Sequence, residues 1–154
     1  MRLLVVVVGK PRDAALHAAI TEYETRAARY WPLAVHEVRE ESGRGTPPDL
    51  VREREGERLL GRVPAGARIV ACDPAGDGMP SERFARYLSD AREAARDMAI
   101  LIGGAHGLSP AVLARAERKL LLAPWTLPHE LARLVLAEQL YRAGTITRGE
   151  PYHK

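Results

Sequence analysis

The sequence predicts an α/β fold with a largely parallel sheet and helices on both of its faces. Two observations carry that prediction. Short apolar runs alternate along the chain with segments of helical period, and the first run, "RLLVVVVGK", is apolar without alternation, as in a strand buried on both faces. No internal repeat or low-complexity linker interrupts the pattern, and 154 residues suit one compact core, so residues 1–154 read as a single domain.

The elements follow in order. After the first strand, "PRDAALHAAITEYETRAARY" is an Ala-rich segment of 3.6-residue period and reads as a helix. "PLAVHEVRE" alternates more and reads as a strand nearer an edge. "ESGRGTPPD" is the flexible stretch, with Asp49 as N-cap of a helix from Leu50 to about Leu60. "ARIVACD" is a third strand ending at Asp73-Pro74, "AGDGMPSE" a loop, and a helix then runs to about Arg96. "MAILIGG" is a fourth strand, and "SPAVLARAERK" a short helix with Ser109 as its cap rather than a nucleophile. "LLLAPWT" is a fifth strand, and "PHELARLVLAEQLYRAGTI" the last helix, with Pro128 in its first position.

That last helix is apolar around most of its girth, which demands burial on several sides. In so small a chain a second subunit is a reasonable partner for one of them. Glu138 and Arg142 are spaced i,i+4. They form a surface pair, or Arg142 faces the crevice and reads an anion.

Composition narrows the function classes. The formal charge of +3 permits a polyanionic partner without requiring one, and Arg beside abundant Ala is equally a mark of source-genome composition. The single cysteine, Cys72, excludes an intrachain disulfide and fits a cytoplasmic protein. The run "LLVVVV" is far shorter than the roughly 18 apolar residues of a membrane span and lacks the flanks of a secretory signal.

Three strand ends carry backbone-permissive or rigid residues: Cys72-Asp73-Pro74, Gly103-Gly104 and Ala123-Pro124-Trp125-Thr126. Ligands of open α/β sheets sit outside the carboxyl ends of strands, so these loops line one crevice if their strands are neighbours. Backbone groups of this kind suit a flat heterocycle and a ribose better than a triphosphate. There is no P-loop, "GGAHG" is not a dinucleotide fingerprint, and G-x-S-x-G is absent. The five histidines are scattered without metal-ligand spacing, so no metal is expected.

"LIGGAHGLSP", "APWTLPHELARLVLAEQLYRA" and the terminal "PYHK" together resemble the SPOUT-class RNA methyltransferases. The likeness points in particular to the small family that methylates N3 of a pseudouridine in large-subunit ribosomal RNA. It covers nearly the whole chain, including the "EY" of the first helix, "GERLL" and "CDPAG". It implies a C-terminal trefoil knot, a homodimer, and S-adenosylmethionine held without a metal by Cys72, Gly103, Gly104 and the run Leu122, Ala123, Pro124, Trp125, Thr126 and Leu127. Cys72 stands where the family has a hydrophobic residue, and His106 falls at a variable position. In the same reading Tyr152 and His153 position or deprotonate the pseudouridine, while Arg142 and Lys154 bind phosphate or stabilise negative charge. The substrate would be 23S ribosomal RNA on the assembled ribosome, shared across the dimer. Arg44 either touches that RNA or is merely solvated.

Overall fold

The computed structural model describes residues 1–153. Lys154, the last of the expected tail residues, lies outside the described residues. Five strands form one parallel sheet: β1 (Leu3–Val8), β2 (Leu33–Val38), β3 (Arg68–Gly78), β4 (Met98–Ile102) and β5 (Arg118–Leu121). Their order across the sheet is β2-β1-β4-β3-β5. Five α-helices connect or follow them: α1 (Ala14–Ala27), α2 (Pro48–Leu60), α3 (Ser81–Glu93), α4 (Pro110–Arg115) and α5 (His129–Thr147). A single 3-10 turn, Pro151–His153, follows α5.

The unbroken apolar character of β1 has a direct explanation. Leu3, Val5 and Val7 face a core shared with Phe84 and Leu88 of α3 and with Leu136 and Leu140 of α5. Leu4, Val6 and Val8 face the opposite core, with Leu59 of α2 and Val112 of α4. Both faces are covered, so the period-2 signal vanishes from the central strands. It survives at the edge strand β2, where burial alternates along "LAVHEV".

Four boundaries differ from the sequence expectation. Helix α2 starts at Pro48 after Pro47, so Asp49 sits inside the first turn, where it favours the helix dipole and pairs with Arg52. Pro128 precedes α5 as its cap residue instead of occupying its first position. Strand β3 does not stop at Asp73: the chain leaves the ladder after Cys72, and Asp77 pairs again with Leu120. Asp73 stabilises this excursion by accepting the N–H of Ala75 at 2.7 Å. Strand β5 comes earlier than "LLLAPWT". Arg118 and Lys119 belong to it because β5 is an edge strand, and the Arg118 guanidinium rests 5.1 Å over the Tyr87 ring. Residues 122–127 are thereby released as a loop.

Candidate active site

The carboxyl ends of β3, β4 and β5 are neighbours, and a cavity of about 430 Å³ opens above them. Each strand end contributes one wall. From β3 come Cys72, Asp73 and Pro74, the last two on the excursion. From the end of β4 come Ile102 and the turn from Gly103 to Leu108. The loop after β5 adds Leu122, Ala123, Trp125, Thr126 and Leu127, and His129 and Ala132 close the space from the first turn of α5. Of the nine residues expected to hold a cofactor, the structure brings eight to this cavity; Pro124, in the same loop, is exposed and not among its walls.

The glycine turn has the form its sequence requires. Gly107 donates to the Gly104 carbonyl at 3.0 Å and adopts φ +79°, a region glycine enters at little steric cost. A Cβ on Gly103 would lie 2.6 Å from the carbonyl carbon of Gly107, so the two backbones touch with no room for a side chain. Ser109 then accepts the N–H of Val112 at 3.3 Å and caps α4, as expected. His106, at the exposed tip of the turn, also borders the cavity.

Most of the walls are apolar, and this sets the chemistry of Cys72. Removal from water disfavours the thiolate, and the neighbouring Asp73 carboxylate opposes it further, so the thiol is pushed up to about 12. Cys72 therefore serves as a packing surface rather than a nucleophile. Among the described residues no cluster of histidine, cysteine and carboxylate side chains is arranged to hold a metal ion.

The expected tail residues assemble elsewhere. Tyr152 donates its hydroxyl to Glu138 Oε1 at 3.1 Å, and Arg142 pairs with the same oxygen at 2.6 Å. The Arg142 guanidinium lies 5.0 Å from the Tyr152 ring centroid, and that ring lies 4.5 Å from Tyr141. Burial and the hydrogen bonds to Tyr23 and Glu138 push the Tyr152 phenol well above its ordinary range. His153 beside it is exposed. The tail is held further by Tyr30, whose hydroxyl donates to Glu150. None of Arg142, Tyr152 and His153 borders the cavity. Glu138 is nine residues along α5 from His129, or roughly 14 Å of helix rise.

The sequence alone does not point to Arg52, which reaches the cavity from α2, or to His129 in the first turn of α5. The one signal for His129 was its place in the first turn of a helix that follows a cavity loop.

The cavity lies over three parallel strand ends and is bounded by a glycine turn and by the loop before an apolar last helix. The family described as "Predicted SPOUT methyltransferase" matches residues 1–153. The chain belongs to the SPOUT methyltransferase family. It is 64% identical, over the full length of both chains, to the ribosomal RNA large subunit methyltransferase H of Gemmatimonas aurantiaca. A relative of the same name from Anaeromyxobacter dehalogenans (strain 2CP-C) is 46% identical over 154 residues, again covering both chains completely. Among solved structures, the TrmH/SpoU tRNA modifying enzyme of A. aeolicus matches 96% of this chain and 77% of its own, with a TM-score of 0.50 and 14% identity. That likeness concerns the fold. As a SPOUT methyltransferase the chain is an enzyme that transfers a methyl group, and the question passes to donor and acceptor.

Proposed function

We propose that this chain methylates N3 of a pseudouridine in the 23S RNA of the large ribosomal subunit, with S-adenosylmethionine as donor. The observation that carries the reading is the cavity itself: its walls come from the loops in which a methyl donor was expected. The full-length identity to relatives named for large-subunit ribosomal RNA supports the acceptor class. In the same reading, residues 1–154 form one domain whose last segment is knotted through a loop. The protein works as a cytoplasmic homodimer on assembled ribosomes.

The residues present fit the donor. The volume of about 430 Å³ falls in the range of small-molecule sites, roughly 300–1,000 Å³. Ile102, Leu120 and Leu122 offer apolar surface for a purine, and the turn from Gly103 to Gly107 presents backbone to the cavity. When bound, the donor supplies an electrophilic methyl group on a sulfonium. The chain's own contribution is then orientation of the acceptor nitrogen along the methyl–sulfur axis, which removes much of the entropic barrier.

An imide nitrogen must lose its proton to attack. With its phenol pushed up, Tyr152 keeps its own proton at neutral pH and acts as a hydrogen-bonding guide, leaving proton removal to His153. Arg142 and Lys154 supply positive charge for phosphate or for the developing anion. The roughly 14 Å along α5 between His129 and Glu138 supports a composite arrangement, in which one copy's tail serves the other copy's cavity. Apolar α5 is a suitable surface for such pairing.

The test is methyl transfer to ribosomes from cells lacking the enzyme, comparing pseudouridine with unmodified uridine at the site. Deletion of Pro151 to Lys154 is expected to leave folding and donor binding intact and to abolish transfer. Mixing that truncated chain with a full-length chain blocked by Gly103→Val is expected to restore part of the activity. Unchanged transfer by the truncated chain would remove the tail from the mechanism.

A further inference from the structure

Below the cavity, Glu55 of α2 is 2% exposed. Its Oε1 accepts the N–H of Glu41 at 3.0 Å, whereas Oε2 has no hydrogen-bond partner among the described residues. Buried polar atoms are nearly always satisfied, so an orphan in the interior requires a reason. Oε2 lies directly under the glycine turn. A Cβ on Gly104 would sit 2.7 Å from it and 3.1 Å from Val8 Cγ1. Gly104 itself borders the cavity.

The next residue strengthens the relationship. Gly56 brings the α2 backbone against Ser109, and a Cβ there would overlap the Ser109 hydroxyl. Ser109 caps α4 at the far end of the same turn. Helix α2 therefore presses on the turn at two places, under Gly104 through Glu55 and at Ser109 through Gly56. Burial pushes the Glu55 carboxyl above its ordinary range, against the opposing hydrogen bond from Glu41.

We propose that Glu55 is a positioning residue of the donor site, setting the height of the Gly103–Gly107 turn through Gly104 so that its backbone meets the methyl donor. The inference rests on the reading of the cavity as the S-adenosylmethionine site. Glu55 touches neither donor nor acceptor and acts through the turn. Its unpartnered Oε2, directly under Gly104, is the point of contact through which the turn is held.

The experiment measures S-adenosylmethionine binding by calorimetry, together with melting temperature and steady-state transfer, on the full chain. Glu55→Ala is expected to raise the donor dissociation constant and the donor KM roughly tenfold to a hundredfold, with kcat at saturating donor nearly unchanged. Glu55→Gln keeps the shape and the acceptor for the Glu41 N–H, and is expected to restore binding to within about threefold. Gly104→Ala, whose added methyl meets Oε2, is expected to weaken donor binding. Adding Glu55→Asp, which withdraws the carboxyl by one methylene, should recover part of that loss, a coupling that independent sites do not show. If Glu55→Ala fails to fold, this Gly104–Glu55 pair decides the matter alone. Unaltered affinity in Glu55→Ala, or no recovery in the double variant, overturns the inference while leaving the donor site standing. Absence of binding by the unaltered chain overturns both.

Discussion

The hydroxyl of Tyr152 donates to Glu138 Oε1, the same oxygen that pairs with Arg142. One carboxylate on α5 thus fixes both the aromatic ring of the tail and the guanidinium that lies over it. Glu138 does not border the cavity, yet it orders two of the residues assigned to the acceptor.

From that arrangement, Glu138→Ala is expected to lower methyl transfer roughly tenfold to a hundredfold while changing donor affinity less than about twofold. Glu138→Gln retains an acceptor for Tyr152 but not the charge that holds Arg142, and should fall between the two. Single-turnover transfer to ribosomes, with calorimetry of the donor alongside, separates the effects. Equal losses in both measurements would mean that Glu138 supports the fold rather than the tail.

A second ion cluster should matter for stability instead. Arg133 of α5 is 7% exposed and is held by Glu24 of α1 at 2.7 Å and Glu37 of β2 at 2.8 Å. It ties an edge strand and two helices together beneath the β1 end. Arg133→Ala leaves two carboxylates facing each other without their cation and is expected to cost about 3–5 kcal/mol. Glu37→Gln, at a more exposed partner, should cost much less. Urea unfolding gives both values, and a loss below about 1 kcal/mol for Arg133→Ala would contradict this reading.

Gly103→Ala tests the turn from the other side. Its Cβ would meet Gly107 backbone at 2.6 and 2.7 Å, with no flexible side-chain end to move aside. We expect about 1–3 kcal/mol of destabilisation and loss of donor binding. A variant that melts near the wild-type temperature and still binds the donor would show that the turn shifts freely.

Much of this architecture was legible because its signals are local. The strand–helix alternation, the Ser109 cap and the glycine turn each follow from a few adjacent residues. The β3 excursion was not legible: "PAGDG" is loop chemistry by every local rule, and only the Leu120 register in a neighbouring strand turns Asp77 back into the sheet. Arg118 and Lys119 were misassigned for a related reason, since an edge strand tolerates charges that a central one would not. Arg133 and Glu55 left no trace at all. On a sequence they are polar residues within helices, and only packing against Glu24, Glu37 and Gly104 reveals that they point inward. The placement of the tail on Glu138, away from the cavity, likewise depends on how α5 lies across the sheet.

Cys72 offers a chemical check on the cavity walls. With its thiol pushed up to about 12, only roughly one molecule in ten thousand carries the thiolate at pH 8. Alkylation by iodoacetamide is expected to be slower in the native protein than in urea by roughly a thousandfold. Bound donor should slow it further. Native alkylation at the rate of the unfolded chain would mean that the β3 end is far wetter than its packing indicates.

The same physics, applied to Glu55, makes a prediction with a definite sign. Burial raises its native pKa above the ordinary 4.5, against the opposing hydrogen bond from Glu41. Between those two values the folded chain holds a proton that the unfolded chain has released. More protons are bound in the native state, so stability must fall as pH rises through this window. The decline begins near 4.5 and levels off once the pH passes the raised native value. Glu55→Gln has no proton to lose there. Its stability relative to wild type should therefore improve as pH is raised from about 4.5 through the raised native value and then hold constant. Carboxylates held below their usual range, such as Asp97 beside Arg2, act alike in both proteins and cancel in the difference. Urea unfolding of the two proteins across this range measures that difference directly. Parallel curves would mean that Glu55 titrates as it does in the unfolded chain, and that water reaches its orphan oxygen.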